Sequence, residues 1–132
     1  MSTRGSATFA IKSWDEKPYA EFEGGRKLTR ASVVYTYSGD IEGEGSVEYL
    51  MVYGPHGAGT YVGMERVVGK VAGRAGSFVS QHTGTFEPKG VSDTWFISPE
   101  SGTGELEGLS GGGDAVISGH GPYSIAFDYD QR

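Results

Sequence analysis

Apolar residues recur at every second position along most of this chain, and that period leaves the β-strand as its dominant element. Near the C-terminal end Tyr123, Ile125, Phe127 and Tyr129 alternate with Ser124, Ala126, Asp128 and Asp130. A one-residue slip in pairing would bury Asp128 and Asp130, so the four apolar residues are expected to share a buried face. Ala7, Phe9 and Ile11 alternate with Thr8, Ala10 and Lys12 in the same way. Further strands are read near 28–38, 44–53, 60–71, 75–86, 91–98 and 103–109, about eight in all. Turn chemistry separates them: Glu23-Gly24-Gly25, Ser38-Gly39-Asp40, Gly54-Pro55-His56-Gly57, Gly73-Arg74, Pro88-Lys89-Gly90, Pro99 to Gly102, and Gly111-Gly112-Gly113. The close spacing predicts a meander of hairpins, with Asp15-Glu16-Lys17-Pro18 bending the first strand. The stretch 101–111 is not read as a helix, since its four glycines would each cost about 1 kcal/mol there.

Glycine supplies 23 of the 132 residues, more than double the roughly 7% of ordinary usage. It also stands inside the strands, at Gly45, Gly63, Gly69, Gly76 and Gly84, where sharp bending would use it. The expectation is therefore an all-β fold, one antiparallel β-barrel spanning 1–132 as a single domain, in preference to a sandwich. An eight-stranded barrel either fills its interior with side chains or holds one small ligand.

Several function classes are excluded at this level. Without cysteine there are no disulfides, thiolate metal sites or cysteine nucleophiles, and the cytoplasm is the expected compartment. No apolar h-region follows the N-terminus, and no apolar run approaches the roughly 20 residues of a membrane helix. A net charge of −6 with scattered basic residues argues against nucleic acid. His56, His82 and His120 lack the spacing of a metal motif, so neither metal nor cofactor is expected.

The segments Lys12 to Pro18, Leu28 to Ala31, Gly43 to Met51, Gly63 to Val67, Gly76 to His82 and Gly102-Thr103-Gly104-Glu105-Leu106 resemble, in order and over nearly the whole chain, a bacterial family of small β-barrel proteins described as a domain of unknown function. That family is similar to the allene oxide cyclase-like barrels, which include plant dirigent proteins. The Gly102–Leu106 stretch followed by Gly108 and Leu109 carries this second resemblance. It implies an eight-stranded antiparallel barrel, often oligomeric, around an apolar cavity.

Three residues are singled out as catalytic candidates. Glu48 and Glu65 lie in mid-strand between large apolar neighbours. An inward carboxylate would be desolvated into a general acid or base, whereas the structural alternatives are a solvated face or a pair with Arg66 or Arg30. His82 shares its face with Phe78, Ser80 and Phe86 and could shuttle a proton or simply be a satisfied core histidine. Tyr35, Tyr49, Arg66, Phe78 and Trp95 are the expected ligand-binding set. Glu48 and Tyr49 cannot both point inward without a bulge. Gly102-Thr103-Gly104 lacks the lysine of a phosphate loop and reads as a tight turn with a bulge. The expected partner is a small hydrophobic molecule bearing one or two oxygens, with cofactor-free cyclisation or isomerisation as one function and a carrier or scaffold as the alternative. Outward apolar residues, Val47 and Met51 if Glu48 faces in, would form a homo-oligomer interface.

Overall fold

The computed structural model describes residues 2–131, and in it the alternation becomes nine strands. These are β1 (Thr3–Glu21), β2 (Lys27–Gly39), β3 (Ile41–Tyr53), β4 (Gly59–Val71), β5 (Arg74–Glu87), β6 (Gly90–Ile97), β7 (Thr103–Gly104), β8 (Ser110–Ile117) and β9 (Tyr123–Asp130). Neighbours run in the order β4-β3-β2-β1-β9-β8-β6-β5, and β4 also pairs with β5, so eight antiparallel strands close into a barrel. The two-residue β7 pairs with β5 outside the ring. Helix is confined to a 3-10 turn at Glu23–Gly25, and no helix among the described residues is long and apolar enough to cross a membrane.

Three local expectations are corrected. Gly111-Gly112-Gly113 is not a turn but the first half of β8, and the strand read at 103–109 shrinks to β7 followed by turns. The glycines let two backbones approach: a Cβ on Gly111 would overlap the carbonyl of Asp128, and one on Gly112 that of Trp95. The bend at 15–18 is instead a continuous β1 with register shifts at Ile11/Ser13 and Pro18/Ala20. Beyond Phe9, β1 pairs with β2 alone, so Pro18 lies on a free edge where its missing N–H breaks no ladder.

The inward side chains form two clusters. One contains Ile41, Val67, Val71, Phe78, Ile97 and Phe127, with Leu106 and Leu109 from the segment after β7 plugging that end. The other is richer in aromatic rings: Phe9, Tyr35, Tyr49 and Tyr61 with Ala31, Val33, Val47 and Met51. Edge-on contacts tie the rings together, Phe9 to Tyr35 at 5.1 Å and Tyr49 to Tyr61 at 5.2 Å between centroids. Each such pair contributes about 0.5–1.5 kcal/mol beyond area burial. On β9, Phe127 is fully buried, while Tyr123, Ile125 and Tyr129 are half-buried on the same face. The outer face carries apolar side chains too: Leu50 on β3, Val62 and Met64 on β4 and Phe96 on β6 are exposed.

Candidate functional site

Strand register builds a polar cluster inside the barrel. Glu65 on β4 stands across from Ser80 on β5; two residues along β5 is His82, and Asp93 on β6 lies diagonally beyond it. Side chains two apart share a face, so all four point inward. His82 Nε2 donates to Glu65 Oε1 at 2.8 Å and Nδ1 to Asp93 Oδ2 at 2.9 Å, with Ser80 Oγ 3.0 Å from Nε2. The outer carboxylate oxygens accept from tyrosines: Tyr37 donates to Glu65 Oε2 at 2.6 Å, and Tyr61 donates to Asp93 Oδ1. The result is one chain, Tyr37–Glu65–His82–Asp93–Tyr61. Trp95 stacks on the imidazole with centroids 6.1 Å apart.

Glycine makes room for this chain. A Cβ on Gly45 would overlap Glu65 Oε2, and one on Gly84 would crowd the Tyr61 hydroxyl. The chain is also nearly dry, with the side chains of Glu65, His82 and Asp93 only 1%, 10% and 11% exposed. Burial alone would depress the histidine pKa, but its hydrogen bonds to Asp93 and Glu65, with their charges, push it up to about 9. His82 is therefore an imidazolium near neutral pH, with both N–H groups committed. Burial and adjacent carboxylates raise Tyr37 and Tyr61 well above the ordinary phenol range.

A second polar element lies nearby. The hydroxyls of Tyr35 and Tyr49 are 2.9 Å apart, both residues being buried. Two hydroxyls bring two protons, and the bond between them uses one. The remaining O–H is free to donate.

Both elements border a cavity of about 170 Å³ whose other walls are mainly apolar, among them Phe9, Met51, Phe86, Ile117 and Ile125. Ile11 and Trp14 line it while remaining 46% and 44% exposed, which marks its mouth beside the free half of β1. The opposite lip is Ile117 and Tyr123, since β8 and β9 pair only from Ser110 to Gly112 and part beyond that point. Tyr123 is tied there by a hydrogen bond to the Gly119 carbonyl at 3.1 Å.

Glu65, His82, Tyr35, Tyr49, Phe78 and Trp95 all line this cavity. Glu48 and Arg66 do not. Tyr49 takes the inward position, so Glu48 projects outward to Arg30 at 2.9 Å and Ser32 at 2.8 Å, and Arg66 projects outward toward Ser77. The pairing of Glu65 with Arg66 or Arg30 is replaced by the pairing with His82, because both arginines lie on the other side of the wall. With Glu48 outside, Val47 and Met51 face in. Asp93 was not among the sequence candidates, although the alternation Val91, Asp93, Trp95, Ile97 places an acid on an apolar face. Tyr37 and Tyr61, the ends of the chain, carry no such signal, since an inward tyrosine is ordinary filling.

A family model described as "Protein of unknown function (DUF3224)" matches residues 5–129. The chain is also similar to a protein of unknown function from Shewanella oneidensis MR-1, assigned to the same family, whose crystal structure superposes with a TM-score of 0.82. The two are 32% identical over 100% of this chain and 98% of that one. No curated protein matches.

Proposed function

We propose, from the premise that this chain belongs to the DUF3224 family of proteins of unknown function, that its barrel binds one small, mostly apolar molecule bearing an acceptor oxygen. The observation that carries the reading is the surplus O–H of the Tyr35–Tyr49 pair, held inside an apolar cavity. A buried donor without an acceptor loses free energy, and a ligand oxygen would recover it. Size narrows the ligand, because an apolar cavity of roughly 150 Å³ holds benzene. A single six-membered ring with one polar substituent is the right scale for about 170 Å³. His82, Glu65, Phe78 and Trp95 then serve as walls and support, with no cofactor.

The test is saturation-transfer NMR with cyclohexanone and, as its oxygen-free match, methylcyclohexane. Cyclohexanone should bind the wild type and bind the paired variant Tyr35→Phe/Tyr49→Phe about tenfold more weakly, a loss of about 1.4 kcal/mol for one hydrogen bond. Methylcyclohexane should not distinguish the two. Absence of binding by either probe sinks the reading.

On the same footing we place the protein with the allene oxide cyclase-like barrels, supported by the eight-stranded ring and by the Gly102–Leu106 segment that leads into the plug of its closed end. The absence of cysteine supports a cytoplasmic location, and the charge of −6 supports the lack of a nucleic-acid partner. A second reading, an oligomeric scaffold, is favoured by the exposed Leu50, Val62, Met64 and Phe96 on one outer face. Sedimentation velocity on the wild type and on Val62→Asp tests it, since a dimer through this face should dissociate in the variant.

A further inference from the structure

Inside the barrel two acidic side chains, Glu65 and Asp93, share a single basic partner, His82. The acids therefore outnumber the bases there by one, and no Lys or Arg is among the described residues that line the cavity. An anionic ligand such as a carboxylate or a phosphate would meet net negative charge and no cation to pair with. A neutral ligand meets a carboxylate able to take a proton without dismantling the ion pair, and a tyrosine O–H able to hold developing charge on oxygen. Those are the two groups that removal of a proton next to a carbonyl requires, and the dry cavity strengthens both.

We infer that the cavity catalyses proton transfer on a neutral carbonyl compound, with Asp93 as the base and the Tyr35–Tyr49 pair as the enolate-oxygen donor. The inference rests on the binding reading above and names its substrate class. Asp93 is preferred to Glu65 because its side chain is the more open, and an oxygen that accepts one hydrogen bond retains a second lone pair. Asp93 removes the α-proton, the C–H electron pair becomes the new C=C bond, and the carbonyl π pair moves onto oxygen under the free tyrosine O–H. Returning that proton to the γ-carbon of a β,γ-unsaturated ketone yields the conjugated isomer. No electron is gained or lost, and the single negative charge passes from Asp93 to the enolate and back. His82 has no free nitrogen, so it positions Asp93 and does not touch the substrate.

The probe is 3-cyclohexen-1-one, whose conversion to 2-cyclohexen-1-one raises the ultraviolet absorbance of the conjugated enone. Wild type should accelerate the conversion, and Asp93→Asn should lower kcat by about 100-fold or more, the usual weight of a general base, with KM nearly unchanged. Tyr35→Phe/Tyr49→Phe should also lower kcat, by about 100-fold for a lost oxyanion donor. If saturation transfer shows the enone bound while wild type converts it no faster than Asp93→Asn does, the inference is overturned and the binding reading stands. If the enone does not bind, both fall. Should Asp93→Asn fail to fold, the tyrosine pair variant decides alone, and an unchanged kcat there overturns the inference.

Discussion

Glu65 and Glu48 sit on neighbouring strands, one register step apart: Glu65 pairs across from Val47, and Glu48 from Met64. That single step puts them on opposite sides of one wall. Glu65 is sealed inside, held by His82 and Tyr37; Glu48 stands in solvent, held by Arg30 and Ser32. The other outer pairs, Lys12–Glu44 and Arg4–Asp128, are as exposed as Arg30–Glu48. Water screens each outer pair and can replace either partner, whereas inside the barrel no substitute for a lost partner is at hand. Similar geometry thus has different consequences on the two faces, and the difference lies in what removal leaves behind.

The largest expected contrast follows from deleting the cation on each side. His82→Ala leaves two buried carboxylates without a counter-charge and should destabilise the fold by about 3–5 kcal/mol in denaturant unfolding. Arg30→Ala should cost less than about 1 kcal/mol. Equal losses would break the comparison. Next comes pH. The folded-state pKa of His82, about 9, lies above its ordinary 6.5, so its stabilisation is complete below about pH 6.5 and disappears as pH rises through about 9. The size is about 3 kcal/mol, and calorimetric melting across that window should show a decline that His82→Gln abolishes. Glu48, held below the usual carboxylate range by Ser32 and Arg30, has the opposite sign: its small contribution is present above the unfolded pKa and is lost as pH falls through the folded one.

A sharper version reads the histidine itself. Glu65→Gln removes one of the two charges on the imidazole and should lower the His82 pKa by about 1 unit or more in NMR titration, while Glu48→Gln should leave it unmoved. The smallest expected effect is on stability in the tyrosine pair. Replacing both hydroxyls by hydrogen, in Tyr35→Phe/Tyr49→Phe, leaves no orphaned partner and should shift the unfolding free energy by less than about 1 kcal/mol. A loss of several kcal/mol would show that the hydroxyl pair is a structural tie and not a spare donor.

The barrel was legible because period two and strand glycines act over the whole chain. Glu65 and His82 were legible as polar groups on apolar faces. Glu48 satisfied the same rule and lies outside, because Leu50, Val62 and Met64 make the outer face of β3 and β4 apolar as well, so parity carried no sign. Gly111 to Gly113 misled because the composition that marks a turn also marks two backbones in close approach. The chain from Tyr37 to Tyr61 was not legible as a unit, since it exists only once β2, β4, β5 and β6 share one register around a closed ring.

Only three residue pairs join β8 to β9, and past Gly112 the two strands diverge beside the cavity mouth. On a kinetic scale, the backbone of 114–117 and 123–126 lacks a strand partner across that seam and should be the first part of the ring to exchange its amide hydrogens. A guest entering between Ile117 and Tyr123 would break no strand pairing on the way, and rotation of Tyr123 would give up only its hydrogen bond to the Gly119 carbonyl. Occupancy then lasts only as long as contacts inside the cavity hold the guest, which suits rapid traffic better than long storage.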